Sequence, residues 1–433
     1  MKSHPKKRIA VIGAGIAGLI CAYELQKAGF SVVVYEKEKH VGGRMSTRTK
    51  KDFPFDIGAD HLANVYTEMR KYANELNLSW EKMNFLQYGL LKNGRIIPAN
   101  QGVGFLSKML LSLQFLQCGK GIDFFDLSTG AKYDTDNAYN CMKKKTGKEI
   151  ADYYVDPFTS AYQFHRSQDI SASALRAIMQ SLKYHKADWA LHKTKGGMSA
   201  LPNALAKHLQ VKTAKAVTEI RAKEECVEII TKEKNGKKKT EAFDRVVIAT
   251  TASIAKKIYV NPTTAQENVL DATKYATTIS VAFRVPTKKF HNYSIVWAPY
   301  VESKAIASFG NEMMKGEEVI HKDKSLLSVW LHEDFAKKII DRSDTEIFSI
   351  VKNEFLKLCS WFSNDELEYY DLQRWPEAMP KFSHGYITQV SEFLKKGQGE
   401  NNVYLCGDYL NSPWTEGAVR CGQRVAKKII ASY

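Results

Sequence analysis

The first forty residues constrain this chain more than any other part of it. Arg8-Ile9-Ala10-Val11-Ile12 is a short apolar run, Gly13-Ala14-Gly15-Ile16-Ala17-Gly18 follows, and Leu19 to Lys27 has helical character until Gly29 closes it. Ser31 to Tyr35 then reads as a second buried strand, ending at Glu36. Strand, glycine turn, helix and strand in this order make a βαβ unit carrying a dinucleotide fingerprint. Gly13 permits the tight turn, Gly15 lets the backbone approach a pyrophosphate, and Gly18 lets the helix pack closely on the strand. Ile16 and Ala17 open the helix, whose free N–H groups and dipole favour phosphate. Glu36 lies 18 residues past Gly18, where a carboxylate accepts the hydrogen bonds of a ribose 2′-hydroxyl and disfavours a 2′-phosphate, arguing against NADP. Gly42-Gly43-Arg44 follows, placing a guanidinium beside the same pyrophosphate.

Two later segments complete this unit. Gly196-Gly197-Met198 leads into a short helix, then a small antiparallel meander with strands at Ala216 to Ile220 and Cys226 to Ile230 and a charged turn at Lys234 to Lys237. Phe243 to Thr250 reads as a buried parallel strand. Asn402 to Asp408 is another such strand, ending in Gly407-Asp408 and leading through Trp414 to Glu416-Gly417-Ala418-Val419 and a last helix. Ligands of parallel sheets bind beyond the carboxyl ends of the strands, so Asp408 is placed to reach the middle of a long dinucleotide. The fold class expected is α/β, a discontinuous Rossmann-like domain over 1–64, 193–260 and 398–433, with an α+β substrate domain over 65–192 and 261–397.

Composition narrows the function classes. The chain has 433 residues, long enough for two lobes with their own cores, and a net charge of +16. The basic residues are scattered in short groups such as Lys6 to Arg8 and Lys143 to Lys145, without a nucleic-acid motif, so no nucleic-acid partner is expected. Seven widely spaced cysteines form no C-x-x-C pair and no zinc spacing; reduced thiols, a cytoplasmic location and no metal are expected. The basic and apolar N-terminus is read as folded strand and helix rather than a secretory signal, because its glycine spacing serves the turn. No segment approaches a membrane span. The Leu- and Phe-rich stretch from Gly104 to Leu116 suits either a buried core helix or a helix lying on a bilayer, which leaves peripheral membrane contact open.

The three ordered motifs, Gly13 to Gly18 with Glu36 and Gly42-Gly43-Arg44, then Gly196-Gly197-Met198, then Gly407-Asp408 with Glu416 to Val419, resemble the amine oxidase superfamily of FAD-dependent enzymes, which holds monoamine oxidases, protoporphyrinogen oxidases and carotenoid desaturases. The resemblance implies FAD rather than NAD. It implies Glu36 on the adenosine ribose, Arg44 near the pyrophosphate, Val217 giving backbone contacts to adenine, and Asp408 on the ribityl or phosphate portion. Ala418 and Val419 are implied near the flavin, and the strand ending at Thr250 belongs to the same cofactor site. Monoamine oxidases flank the flavin with two aromatic side chains; the corresponding positions are Trp414 and, counted from Trp375, Tyr386.

Departures from that pattern bear on the substrate. The covalent-flavin cysteine of monoamine oxidases falls near Gly385, which implies non-covalent FAD, and their flavin-site lysine is missing from Thr277 to Phe283. Trp375 to Tyr386 and Gly197 to Pro202 look like the porphyrinogen oxidase and desaturase branch. The reaction implied is hydride transfer from a small, largely apolar or conjugated substrate to flavin N5, with oxygen or a quinone as electron acceptor. A flavin amine or amino-acid oxidase is the alternative enzyme; a non-catalytic FAD-binding scaffold and an NAD-dependent dehydrogenase are the other readings. His61, His165, His384, Arg166 and Arg284 are polar candidates read as structural first.

Overall fold

The computed structural model describes residues 7–50, 53–232, 236–289 and 292–433, so Lys6, Lys234 and Asn235 of the sequence features above lie outside the described residues. Strand β1 (Arg8–Ile12) is central in a five-stranded parallel sheet. Its apolar run is buried because both faces are covered, by helices and by an antiparallel meander, as parallel sheets require. Helix α1 (Ile16–Lys27) follows, then β2 (Ser31–Tyr35), β3 (Gln210–Lys212), β4 (Arg245–Ile248), β5 (Val403–Leu405) and the last helix α2 (Thr415–Ile430), with the strands ordered β3-β2-β1-β4-β5.

Local chemistry explains the turn after β1. Gly13 has φ +105°, and a Cβ there would meet the Ala249 carbonyl oxygen at 2.7 Å. A Cβ on Gly18 would lie 2.2 Å from the Gly13 oxygen, so only glycine lets α1 settle against the sheet. Helix α1 is buried nearly all round, since α2 closes its outer side, and a Cβ on Gly422 of α2 would stand 2.4 Å from the Ala17 oxygen. The expected meander is present as antiparallel strands Val217–Ala222, Val227–Lys232 and Lys238–Phe243. It packs on the sheet through Phe243, set edge-on to Tyr35.

The second lobe is built on an eight-stranded mixed sheet whose longest members, Tyr275–Pro286 and Glu368–Pro380, pair antiparallel at one end. Strand period two decides what each face does. Ile279, Val281 and Phe283 enter an apolar core with Val329 and Phe355, while Thr278 and Ser280 face a cavity. A mainly helical region spans residues 99–189. Its helix Phe105–Gln117 has no buried residue; Phe105 is 84% exposed, Leu116 72% and Leu106 63%. The core-helix reading of this stretch is therefore incorrect. All seven cysteines are free thiols, and no group of ligating side chains among the described residues suits a metal.

Candidate active site

One cavity runs from the glycine turn of β1 to the mixed sheet. At one end, Gly15 caps α1 without any side-chain hydrogen bond, and a Cβ there would meet nothing within 4 Å. The first N–H groups of α1 are thus free, with open space in front of them. The Gly42-Gly43 turn is stitched alongside, its Gly42 N–H donating to the Ala14 carbonyl at 2.8 Å.

Arg44 leaves this turn and reaches across the cavity. Its Nη2 donates to Asp408 Oδ1 at 2.9 Å and its Nη1 to the Ala378 carbonyl at 2.9 Å, tying the parallel sheet to the strand Glu368–Pro380. Burial opposes the guanidinium charge, but Asp408 beside it holds the proton more firmly than usual. Glu36 is 8% exposed, one carboxylate oxygen accepting from the Ala14 N–H at 2.8 Å and the other from the Glu38 N–H at 2.9 Å. That carboxylate is held in place at the end of β2, with further lone pairs to offer.

Of the residues expected from sequence, Gly15, Ile16, Ala17, Gly42, Arg44, Thr250, Gly407, Asp408, Trp414 and Ala418 line the cavity. Gly13, Gly18, Gly43 and Glu36 are not among the lining residues. Val217 lies outside the wall, two residues past Lys215, whose N–H donates to the Glu36 carbonyl. Four further residues do not line the wall. Glu416 is fully buried and faces away, its oxygens accepting from the Glu68 and Met69 N–H groups at 3.0 and 2.9 Å; it caps the helix Thr67–Glu75, and burial raises its carboxyl above the usual range. Gly417 and Val419 likewise pack inward, a Cβ on Gly417 meeting Ser412 Oγ at 2.3 Å. Tyr386 sits on the helix Tyr386–Lys396, its hydroxyl donating to the Tyr409 carbonyl at 2.9 Å and 2.8 Å from Thr273 Oγ1, so it holds elements together away from the cavity.

The other end of the cavity is aromatic, walled by Trp330, Trp375, Trp414, Tyr162, Phe164 and Tyr66. Trp414 is fixed in a cluster with Phe124, Trp189 and Tyr162, at centroid distances of 5.6, 6.2 and 6.3 Å. Trp375 is fixed by donating from Nε1 to the Ile57 carbonyl at 2.6 Å. Sequence reasoning used Trp375 only as a counting mark and passed over Trp330. The strand Glu368–Pro380 has no regular alternation of apolar residues that would have marked Trp375. His61 was weighed as structural, yet it lines the cavity with Asp60, its Nδ1 2.6 Å from Asp60 Oδ1.

An open helix N-terminus, a clamped carboxylate, an Arg–Asp pair midway and an apolar chamber beyond fit a long dinucleotide whose reactive ring meets the aromatic walls. A family model described as flavin containing amine oxidoreductase matches residues 16–430. The chain is 28% identical over 167 residues to protoporphyrinogen oxidase 2 of Arabidopsis thaliana, covering 35% of this chain and 32% of that enzyme. It is 21% identical to the mitochondrial protoporphyrinogen oxidase of Nicotiana tabacum across 99% of this chain and 96% of the relative. Among solved structures, a putative protoporphyrinogen oxidase from Exiguobacterium superposes with a TM-score of 0.80 at 14% identity over the whole of both chains. Because the family model matches nearly the whole chain, the chain belongs to the flavin containing amine oxidoreductases, and it is an FAD-dependent oxidoreductase.

Proposed function

We propose that this protein dehydrogenates a small, largely apolar or conjugated substrate, closest in chemistry to the protoporphyrinogen oxidase and desaturase branch, with non-covalent FAD. The observation that carries this reading is the aromatic chamber continuous with the dinucleotide end of the cavity. FAD supplies the hydride acceptor at N5; the chain supplies binding, orientation and exclusion of water. Residues 1–64, 193–260 and 398–433 hold the cofactor, and 65–192 and 261–397 enclose the substrate. Glu36 takes the ribose, Arg44 and Asp408 the middle of FAD, and Ala418 and Trp414 the flavin end. No cysteine lines the cavity among the described residues, which supports non-covalent attachment. Arg44 is already paired with Asp408, so among the described residues the wall offers no free Lys or Arg to a substrate carboxylate; this weighs against an amino acid as substrate. The tobacco relative, similar along nearly its full length, carries the name protoporphyrinogen oxidase and supports the same branch.

Oxygen or a quinone takes the electrons onward. Contact with a lipid surface belongs to the same reading: the helix Phe105–Gln117 exposes five large apolar side chains, and no helix of the described residues is long and apolar enough to cross a membrane. A lipid surface is where an apolar substrate or a quinone is concentrated. Sedimentation with vesicles of mixed neutral and anionic lipid checks this contact, which Leu113→Glu is expected to abolish.

The test of the reaction is the visible spectrum of the purified protein before and after denaturation, followed by anaerobic mixing with protoporphyrinogen IX, a polyene, putrescine and L-leucine. Flavin released on denaturation and bleached by the porphyrinogen or polyene is expected. Bleaching by putrescine or leucine alone would overturn the branch assignment.

A further inference from the structure

Dehydrogenation removes two hydrogens, and FAD accounts for only one of them as hydride. The other leaves as a proton, and inside an apolar chamber its acceptor must be a side chain in the wall. Among the described residues, the cavity wall holds four groups that are charged or titrate near neutral pH: Arg44, Asp408, Asp60 and His61. The first two are bonded to each other at the dinucleotide end. The remaining pair lies among the residues beside the aromatic chamber, where the His61 ring meets Tyr162 edge-on at 6.0 Å.

The geometry of this pair fixes its chemistry. His61 Nδ1 stands 2.6 Å from Asp60 Oδ1, and the two side chains are only 13% and 15% exposed. An ionised carboxylate can only accept, so Nδ1 carries the proton and Nε2 is left with its lone pair. Burial pushes the Asp60 carboxyl up, but His61 and the buried Lys315 outweigh it and hold the group below its ordinary range, keeping it ionised. The other titratable groups facing Asp60 do not compete. Lys315 is bonded to Asp56 at 2.8 Å and to Glu312 at 2.6 Å. Glu312 is bonded to Lys315 and accepts from Ser328 Oγ at 2.6 Å, off the cavity wall, and burial drives the Tyr66, Tyr88 and Tyr162 hydroxyls up, away from any role as base near neutral pH.

Resting on the dehydrogenation proposed above, we infer that Asp60 and His61 form the proton-accepting unit of this cavity, with His61 as a catalytic residue and Asp60 as the positioning residue that orients it. A substrate C–H gives its hydrogen and electron pair as hydride to the flavin. A neighbouring N–H or C–H bond breaks, its electron pair forms the new double bond, and its proton passes to His61 Nε2. The substrate is oxidised by two electrons and the flavin reduced by two. The imidazolium, stabilised by Asp60, releases its proton to solvent as product leaves.

The test uses the holoenzyme and its His61→Gln and Asp60→Asn variants, each checked for unchanged FAD content, melting temperature and photoreduction through deazaflavin. In stopped flow with protoporphyrinogen IX, the wild-type rate of flavin bleaching is expected to rise with pH between about pH 5 and 8. His61→Gln is expected to lose that limb and to slow bleaching by about 10² to 10³, with KM changed little; Asp60→Asn slows it by at least about tenfold. A His61→Gln rate within about threefold of wild type, with the limb retained, would overturn the proposal. A readout independent of turnover is the ¹⁵N spectrum of histidine-labelled holoenzyme at pH 7.5. Besides His165 and His192, whose Nδ1 faces a backbone carbonyl, one further ring is expected in the Nδ1–H form, absent in His61→Gln and exchanging between tautomers in Asp60→Asn. If no probe bleaches the wild type, the dehydrogenase reading fails and this spectrum alone judges the pair; a proton on Nε2 of His61 refutes it.

Discussion

At the scale of single residues, the cofactor end of the cavity depends on charges held by backbone. Glu36 is clamped by two N–H groups, so Glu36→Arg both loses an acceptor and places a cation there; FAD affinity of the apoprotein is expected to fall more than about tenfold by calorimetric titration. Unchanged affinity would remove Glu36 from the ribose site. Trp414→Ala empties the centre of an aromatic cluster and is expected to cost about 3 kcal/mol by denaturant titration, to leave FAD bound and to shift the flavin spectrum. The placement of these two side chains, one clamped at the end of β2 and one in the cavity wall, was legible because each stands at a fixed distance from a glycine motif. Tyr386 and Glu416 were misplaced for the opposite reason. Glu416 lies within its motif, but at the start of a helix, where one step along the chain turns a side chain by about 100°; Thr415 and Ala418 face the cavity while Glu416 turns to cap a neighbour. Tyr386 was found by counting past Pro380, where the strand ends and the chain turns into the core.

At the scale of elements, close approach of two helices builds the dinucleotide end. A leucine at Gly422 would press into the Ala17 oxygen at 2.4 Å and the Cys21 nitrogen at 3.1 Å, forcing α1 and α2 apart. Gly422→Leu is expected to lower stability by at least about 1–3 kcal/mol and to reduce the FAD carried through purification, measured by thermal melting and absorbance. The Gly196-Gly197-Met198 motif acts at this scale too. Gly197 has φ +73°, and a Cβ would lie 2.4 Å from Thr47 Oγ1, while the Met198 N–H donates to Asp56 Oδ1 at 3.1 Å. The motif therefore locks a hairpin, Thr47–Lys50 with Phe53–Asp56, below the cavity, a tertiary role that its sequence does not announce.

At the scale of the molecule, a buried ion cluster joins the two halves of the chain. Lys315 Nζ is 2.8 Å from Asp56 and 2.6 Å from Glu312, all three nearly solvent-free. Lys315→Met leaves two buried carboxyl groups without their cation and is expected to cost about 3–5 kcal/mol, read from urea midpoints. Surface carboxylates set the acid limit. Lys27 holds Glu75 below its ordinary value, Lys324 does so for Glu368, and Lys289 draws Glu366 down to about 2. Lowered folded values mean that the unfolded chain binds more protons in acid, so this stability is complete above about pH 4.5 and is lost as pH falls toward 2. Urea midpoints at pH 7, 5, 4 and 3 are expected to fall across the last two intervals.

The sequence by itself determined the parallel sheet, its discontinuous assembly and the dinucleotide end of the cavity. Those features rest on local constraints, a glycine that must be glycine and an apolar run that must be covered, which one stretch of chain states in full. Tertiary structure alone decided the aromatic chamber, the Asp60–His61 pair and the exposure of the helix Phe105–Gln117. The chamber draws Trp330, Trp375 and Trp414 from separate elements, and each residue's neighbours come from distant parts of the chain. Aromatic and histidine side chains serve a core and a site equally well, so which they do is settled only when packing fixes the direction in which each one points.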